Sequence, residues 1–189
     1  MRRLVAALVL LATWVGAATA SVNPKQAWLI DRAADYWRSQ GATLTQYRVD
    51  QAATTTTGAA AEVAVYRHGA PVVRYHDRMV WQPRASAAFI ALHEMVHVAQ
   101  APAFIDGGYA ANPGWFEGMA DALAADHLCP FMARTWGRAT ALRECHGWGG
   151  SYPRESAVFR AYSAQATGYP GWSYPARMWR LYSLREVSR

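Results

Sequence analysis

The stretch AFIALHEMVHVAQ, residues 88–100, decides how this chain is read. On a helical wheel Phe89, Ile90, Leu92 and Val96 surround His93 and His97, while Ala91, Met95 and Val98 keep the opposite side apolar as well. A helix that is apolar all round is a buried one. Two imidazoles and the Glu94 carboxylate inside a buried helix need partners, because an unpaired polar group in the interior is costly. Whatever satisfies all three groups at once is the first clue to function.

Residues 93–97 read H-E-x-x-H. At 3.6 residues per turn, positions four apart lie about 40° apart on one helix face. Both imidazoles can therefore reach one metal ion, at about 2.0–2.1 Å if the ion is zinc. Glu94 lies about 100° further round, beside the open side of such an ion, where a general base is useful. A catalytic zinc site takes three protein ligands and leaves a fourth position for water. Glu117, in GWFEGMADALAADH, is the candidate third ligand, reached through a segment rich in Gly and Pro. Asp121 follows one turn later on the same face, placed to accept the Nδ1–H of a ligand imidazole. Trp115, Phe116, Met119 and Leu123 mark that helix as largely buried, against the alternative that both acids are solvated charges. One Zn2+ ion, held by His93, His97 and Glu117, is the expected cofactor.

Nineteen residues separate His97 from Glu117. HExxH, a downstream helix bearing Glu, and an Asp four residues later together resemble the gluzincin branch of zinc metallopeptidases, the thermolysin-like group. HEMVHVAQ with EGMAD also resembles the basic secretory protein family of peptidases, although Ala99 stands where that family has Trp and the insert before Glu117 is longer. The likeness covers residues 86–121. It implies His93, His97 and Glu117 as ligands, Glu94 as catalytic base and Asp121 as the residue supporting a ligand histidine. It also implies an α+β, zincin-like fold: a small antiparallel or mixed sheet packed on the HExxH helix, then a mainly helical C-terminal half, with a strand edge to align substrate.

The rest of the chain fits an exported protein. MRRLVAALVLLATWVGAATA has a basic start, an apolar run and Ala18-Thr19-Ala20, so residues 1–20 read as a signal peptide and residues 21–189 as one domain. The apolar run is shorter than the roughly 20 residues a membrane span requires. Cys129 and Cys145 are the only cysteines, and in an oxidising compartment they are expected to form a disulfide rather than bind zinc. The net charge of +6 drops by two when Arg2 and Arg3 leave. The remaining arginines are scattered, which speaks against nucleic acid or an anionic membrane surface as partner. A secreted or periplasmic monomer acting on a peptide or protein is the expectation.

Helices are expected from Asn23-Pro24 to Gly41, from Ser86 onward, and from Asn112-Pro113 to Cys129-Pro130, with further helical segments near 131–143, 154–166 and 175–187. Residues 51–60, QAATTTTGAA, and the segment from Gln100 to Trp115 read as loops. Val63 to Tyr66, Pro71 to His76 and Met79 to Trp81 read as two or three antiparallel strands. His68 and His76 have no partner at ligand spacing and read as hairpin positions. His127 reads as a favourable cation near a helix end. Trp115, Trp136, Trp148, Trp172 and Trp179 are expected mostly to pack, or else to line a cleft for peptides or sugars.

These residues lead to the expectation of an exported zinc peptidase in which Glu94 activates water. Tyr109, His146, Tyr152, Tyr162 and Tyr169 are candidates to hold the developing oxyanion. Two alternatives remain open at this level: a non-catalytic zincin-like binding module with a structural metal, and a zinc amide hydrolase acting on cell-wall peptides.

Overall fold

The computed structural model describes residues 24–52, 60–65, 68–76, 79, 82–105, 112–148 and 150–167. The expected signal peptide and the helix near 175–187 lie outside them, as do Tyr109, Tyr169, Trp172 and Trp179. Five helices and one three-stranded sheet make an α+β structure among the described residues. They are α1 (Pro24–Ser39), β1 (Arg48–Ala52), β2 (Ala61–Ala64), β3 (Val72–His76), α2 (Arg84–Ile105), α3 (Pro113–Trp136), α4 (Arg138–Glu144) and α5 (Pro153–Thr167).

Helix α1 buries the stripe formed by Leu29, Ile30, Ala33, Tyr36 and Trp37. It ends where Gly41 adopts φ 88°. There the Gly41 amide donates to Arg38 O and the Ala42 amide to Trp37 O, both at 3.0 Å. That pair of bonds closes the last turn, and glycine takes the left-handed position without a Cβ penalty. Trp37 also donates from its indole to Leu92 O at 3.0 Å, fastening α1 to α2.

The sheet order is β1-β3-β2, with β2 antiparallel and β1 parallel to the central β3. The sheet is therefore mixed. The hairpin of 61–64 with 72–76 matches the expectation, but its third strand is Arg48–Ala52 rather than the run at 79–81. RVDQA lacks an apolar alternation and borders the threonine tract, so it carries little strand signal of its own. Met79 is buried in the core, and residues 80 and 81 lie outside the described ones.

Two prolines stand inside helices where the sequence pattern suggested ends. Helix α2 runs past Pro102 to Ile105, and α3 runs past Pro130 to Trp136. Both prolines are exposed, so the carbonyls deprived of a helical N–H can turn toward water. Leu128, Phe131 and Met132, buried on either side of Pro130, stabilise by roughly 1.5–3 kcal/mol each. Together they exceed the roughly 3 kcal/mol a helical proline costs. Helix α2 also starts at Arg84, so Ser86 does not cap it; its hydroxyl donates to Gln82 Oε1 at 3.2 Å. Asn112 does cap α3, its side chain accepting from the Trp115 amide at 3.2 Å, with Pro113 in the first turn.

Helices α2 and α3 pack side by side, and α5 covers α3. The crossing of α3 and α5 centres on Gly118, whose missing side chain leaves room for the Glu155 backbone. Cys129 and Cys145 form a disulfide that ties the end of α4 to α3, consistent with an extracellular location. Among the described residues no helix is long and apolar enough to cross a membrane.

Candidate metal centre

The antiparallel approach of α2 and α3 brings His93, His97 and Glu117 together. His93 Nε2 lies 3.0 Å from His97 Nε2. Glu117 Oε2 lies 3.3 Å from the first nitrogen and 3.4 Å from the second. A tetrahedral ion with ligands at about 2.0–2.1 Å would hold its donor atoms about 3.3 Å apart. The triangle therefore has the dimensions of a metal's coordination face. Among the described residues no fourth His, Cys, Asp or Glu joins this group.

Groups behind the two rings fix which nitrogens face the centre. Gln100 donates from Nε2 to Phe116 O at 3.3 Å, which turns its Oε1 toward His97 Nδ1, 2.6 Å away. An amide oxygen only accepts, so His97 carries its proton on Nδ1 and aims the Nε2 lone pair at the centre. His93 Nδ1 lies 2.8 Å from Asp121 Oδ1, a short contact bent away from full hydrogen-bond alignment. A carboxylate also only accepts, so the same tautomer follows. The second Asp121 oxygen accepts from the Tyr152 amide at 2.6 Å.

Three acceptor atoms therefore converge on one small space, and none can satisfy another. The arrangement calls for a cation. In the metal-free protein a proton serves. Burial disfavours the charged His93 ring, but its contacts with Asp121 and Glu117 and the charges of Glu94 and Asp121 outweigh burial and push its pKa up to about 10. A divalent ion would compete for the same place, since its ligands must be unprotonated.

Glu94 is buried, and its Oε2 has no hydrogen-bond partner among the described residues. Burial raises its carboxyl above the usual range; His93 and His97 oppose that shift, while Glu117 and Glu62 add to it. A carboxylate held in this way has a raised affinity for a proton, as a general base requires.

The other sequence candidates separate. Tyr152 follows Gly150 beside Asp121; burial and the charges of Glu117, Asp121, Glu155 and Glu94 raise its phenol. Tyr162 instead packs edge-on against Trp115, with ring centres 5.1 Å apart. His146 is exposed beside the disulfide. Cys129, Cys145 and His146 also cluster, but both sulfurs are consumed by the disulfide, so no thiolate remains as a ligand. His68 is exposed and His76 lies on β3, both away from the centre's ligand group. Trp115 packs on Phe159, and Trp136 on Trp28 and Phe131, as packing residues. Trp148 is exposed.

His127 is not a surface cation. It is buried within α3, 2.7 Å from the Tyr36 hydroxyl through Nδ1 and tilted against Trp37 with ring centres 4.9 Å apart, and burial lowers its pKa to about 4. The extension of α3 past Pro130 removes the helix end that the cation reading assumed.

The sequence pattern does not mark Gln100, Gly150 or the Tyr152 amide as parts of the site. Gln100 was findable, since three residues after a ligand histidine is an adjacent helix position. The Tyr152 amide was not, because it reaches Asp121 across 31 residues with no local pattern. Comparisons against protein-family models, curated proteins and solved structures found no match.

Proposed function

We propose that this protein is a zinc-dependent metallopeptidase of the gluzincin kind, with His93, His97 and Glu117 as the residues that would hold the ion. The observation that carries this reading is the convergence of three acceptor atoms, 3.0–3.4 Å apart, behind which Gln100 and Asp121 occupy both Nδ1 positions. The chemistry of the donor set, two imidazoles and one carboxylate, suits zinc. When bound, zinc supplies Lewis acidity and lowers the pKa of water to about 7.

The chain's own residues account for the remaining work. Glu94 accepts a proton from the attacking water and returns it to the leaving amine nitrogen, consistent with its burial, its raised pKa and an Oε2 without a hydrogen-bond partner among the described residues. His97 is held in one tautomer by Gln100, and His93 is oriented by Asp121. Tyr152, whose phenol remains protonated at neutral pH, can donate to a developing oxyanion. Among the described residues strand β2 is an outer strand of the sheet and packs near α2, so its outer edge can align an extended peptide by main-chain pairing. The absence of a fourth donor among the described residues favours an open catalytic position over a closed structural site.

Glu94→Gln tests the proposal. Zinc content should be unchanged while hydrolysis of a peptide library falls by about 10²–10⁴-fold, the usual contribution of a general base. Undiminished hydrolysis by this variant would refute the mechanism.

A further inference from the structure

Asp121 is squeezed between His93 and the segment that precedes α5. Its Oδ1 meets the His93 ring at 2.8 Å, and its Oδ2 accepts from the Tyr152 amide at 2.6 Å. Gly150 lies so close that a Cβ added there would fall on the Asp121 carboxyl group. Asp121 is only 2% exposed, so it cannot move aside into solvent. The carboxylate that orients a ligand histidine is thus itself seated by a stretch of backbone far away in sequence.

That backbone is anchored at both ends to α3, the helix that carries Asp121. Downstream, α5 packs on α3 through Gly118 and Glu155 and through Trp115 and Phe159. Upstream, the Cys129–Cys145 disulfide joins the end of α4 to α3. Cys129 is eight residues beyond Asp121, about 12 Å along the helix axis. Five residues lead from Cys145 to Gly150, a reach of at most about 18 Å. The covalent tether therefore limits where Gly150 and Tyr152 can lie relative to Asp121.

We infer that Gly150 and the Tyr152 amide, tethered through the Cys129–Cys145 disulfide, position His93 by acting through Asp121 and so set how tightly the centre holds its metal. This rests on the metal-centre reading above. Groups that orient a ligand histidine from behind typically change metal affinity about 10–100-fold when lost. The tether extends that dependence to residues with no contact to the metal's ligand atoms.

The test is zinc affinity by competition with a chromophoric chelator, on the mature protein and on Cys129→Ala/Cys145→Ala, at a temperature well below both melting points. The expected result is one zinc per chain in the parent protein and an affinity about tenfold or more weaker in the double variant. If the double variant does not fold, Gly150→Ala, which keeps the disulfide, tests the same contact and should weaken zinc by about 10–100-fold. Affinity within twofold of the parent overturns the inference. Proton NMR of the metal-free proteins separates this from failure of the metal reading. His93 ring signals should move in the variants even if the parent bound no zinc, and unmoved signals would overturn the inference.

Discussion

Gln100 links the two ligand-bearing helices through one side-chain amide: its oxygen lies 2.6 Å from His97 Nδ1, and its nitrogen donates to Phe116 O on α3 at 3.3 Å. The residue is 1% exposed, so water cannot replace either partner. Gln100→Leu should lower zinc affinity by about 10–100-fold, measured by chelator competition. Gln100→Glu keeps an acceptor for His97 and should lose less. Equal affinities for Gln100→Leu and the parent would show that the amide does not orient the ring.

Gly118 sits between Glu117 and the α5 crossing, where a Cβ would meet the backbone carbonyl of Glu155. Alanine in an exposed helix is ordinarily better than glycine by about 1 kcal/mol. Here the obstacle is backbone, which cannot rotate away, so overpacking should prevail. Gly118→Ala is expected to destabilise by about 1–3 kcal/mol net, read from urea midpoints. A stabilised variant would mean that the two helices separate more easily than their packing implies.

Acid should weaken the fold through His127. Its folded pKa of about 4 lies below the ordinary value of 6.5. Below about pH 6.5 the unfolded chain binds a proton that the folded chain refuses until about pH 4. Stability is therefore lost as pH falls through that window, by at most about 3 kcal/mol from this group, and is unaffected by it above the window. Replacing His127 with Gln, which can still bond to the Tyr36 hydroxyl, should reduce the fall in urea midpoint between pH 7 and 4.5. An identical fall in both proteins would exclude His127 as the acid-sensitive group.

The candidate centre was largely legible in the sequence because its candidate ligands lie on two helices with regular spacing. His93 and His97 share a face by periodicity alone, and Asn112-Pro113 marks where α3 must begin to bring Glu117 and Asp121 onto one face. The hidden parts are those that depend on tertiary contacts. Gly150 looks like an ordinary loop glycine, and its closeness to Asp121 depends on how α5 packs. Arg48–Ala52 becomes a strand through pairing with β3, not through its own pattern. Pro130 is a sound local stop signal, which burial of Leu128, Phe131 and Met132 overrides.

Metal content tests the central claim most directly. The protein, purified without chelator or a metal-affinity step and dialysed against micromolar zinc, would be measured by inductively coupled plasma mass spectrometry beside His93→Ala and His97→Ala. The expected result is one zinc per parent chain and a small fraction of that in either variant. A parent chain without zinc, or variants that retain it fully, would contradict the assignment of His93, His97 and Glu117 as a metal centre.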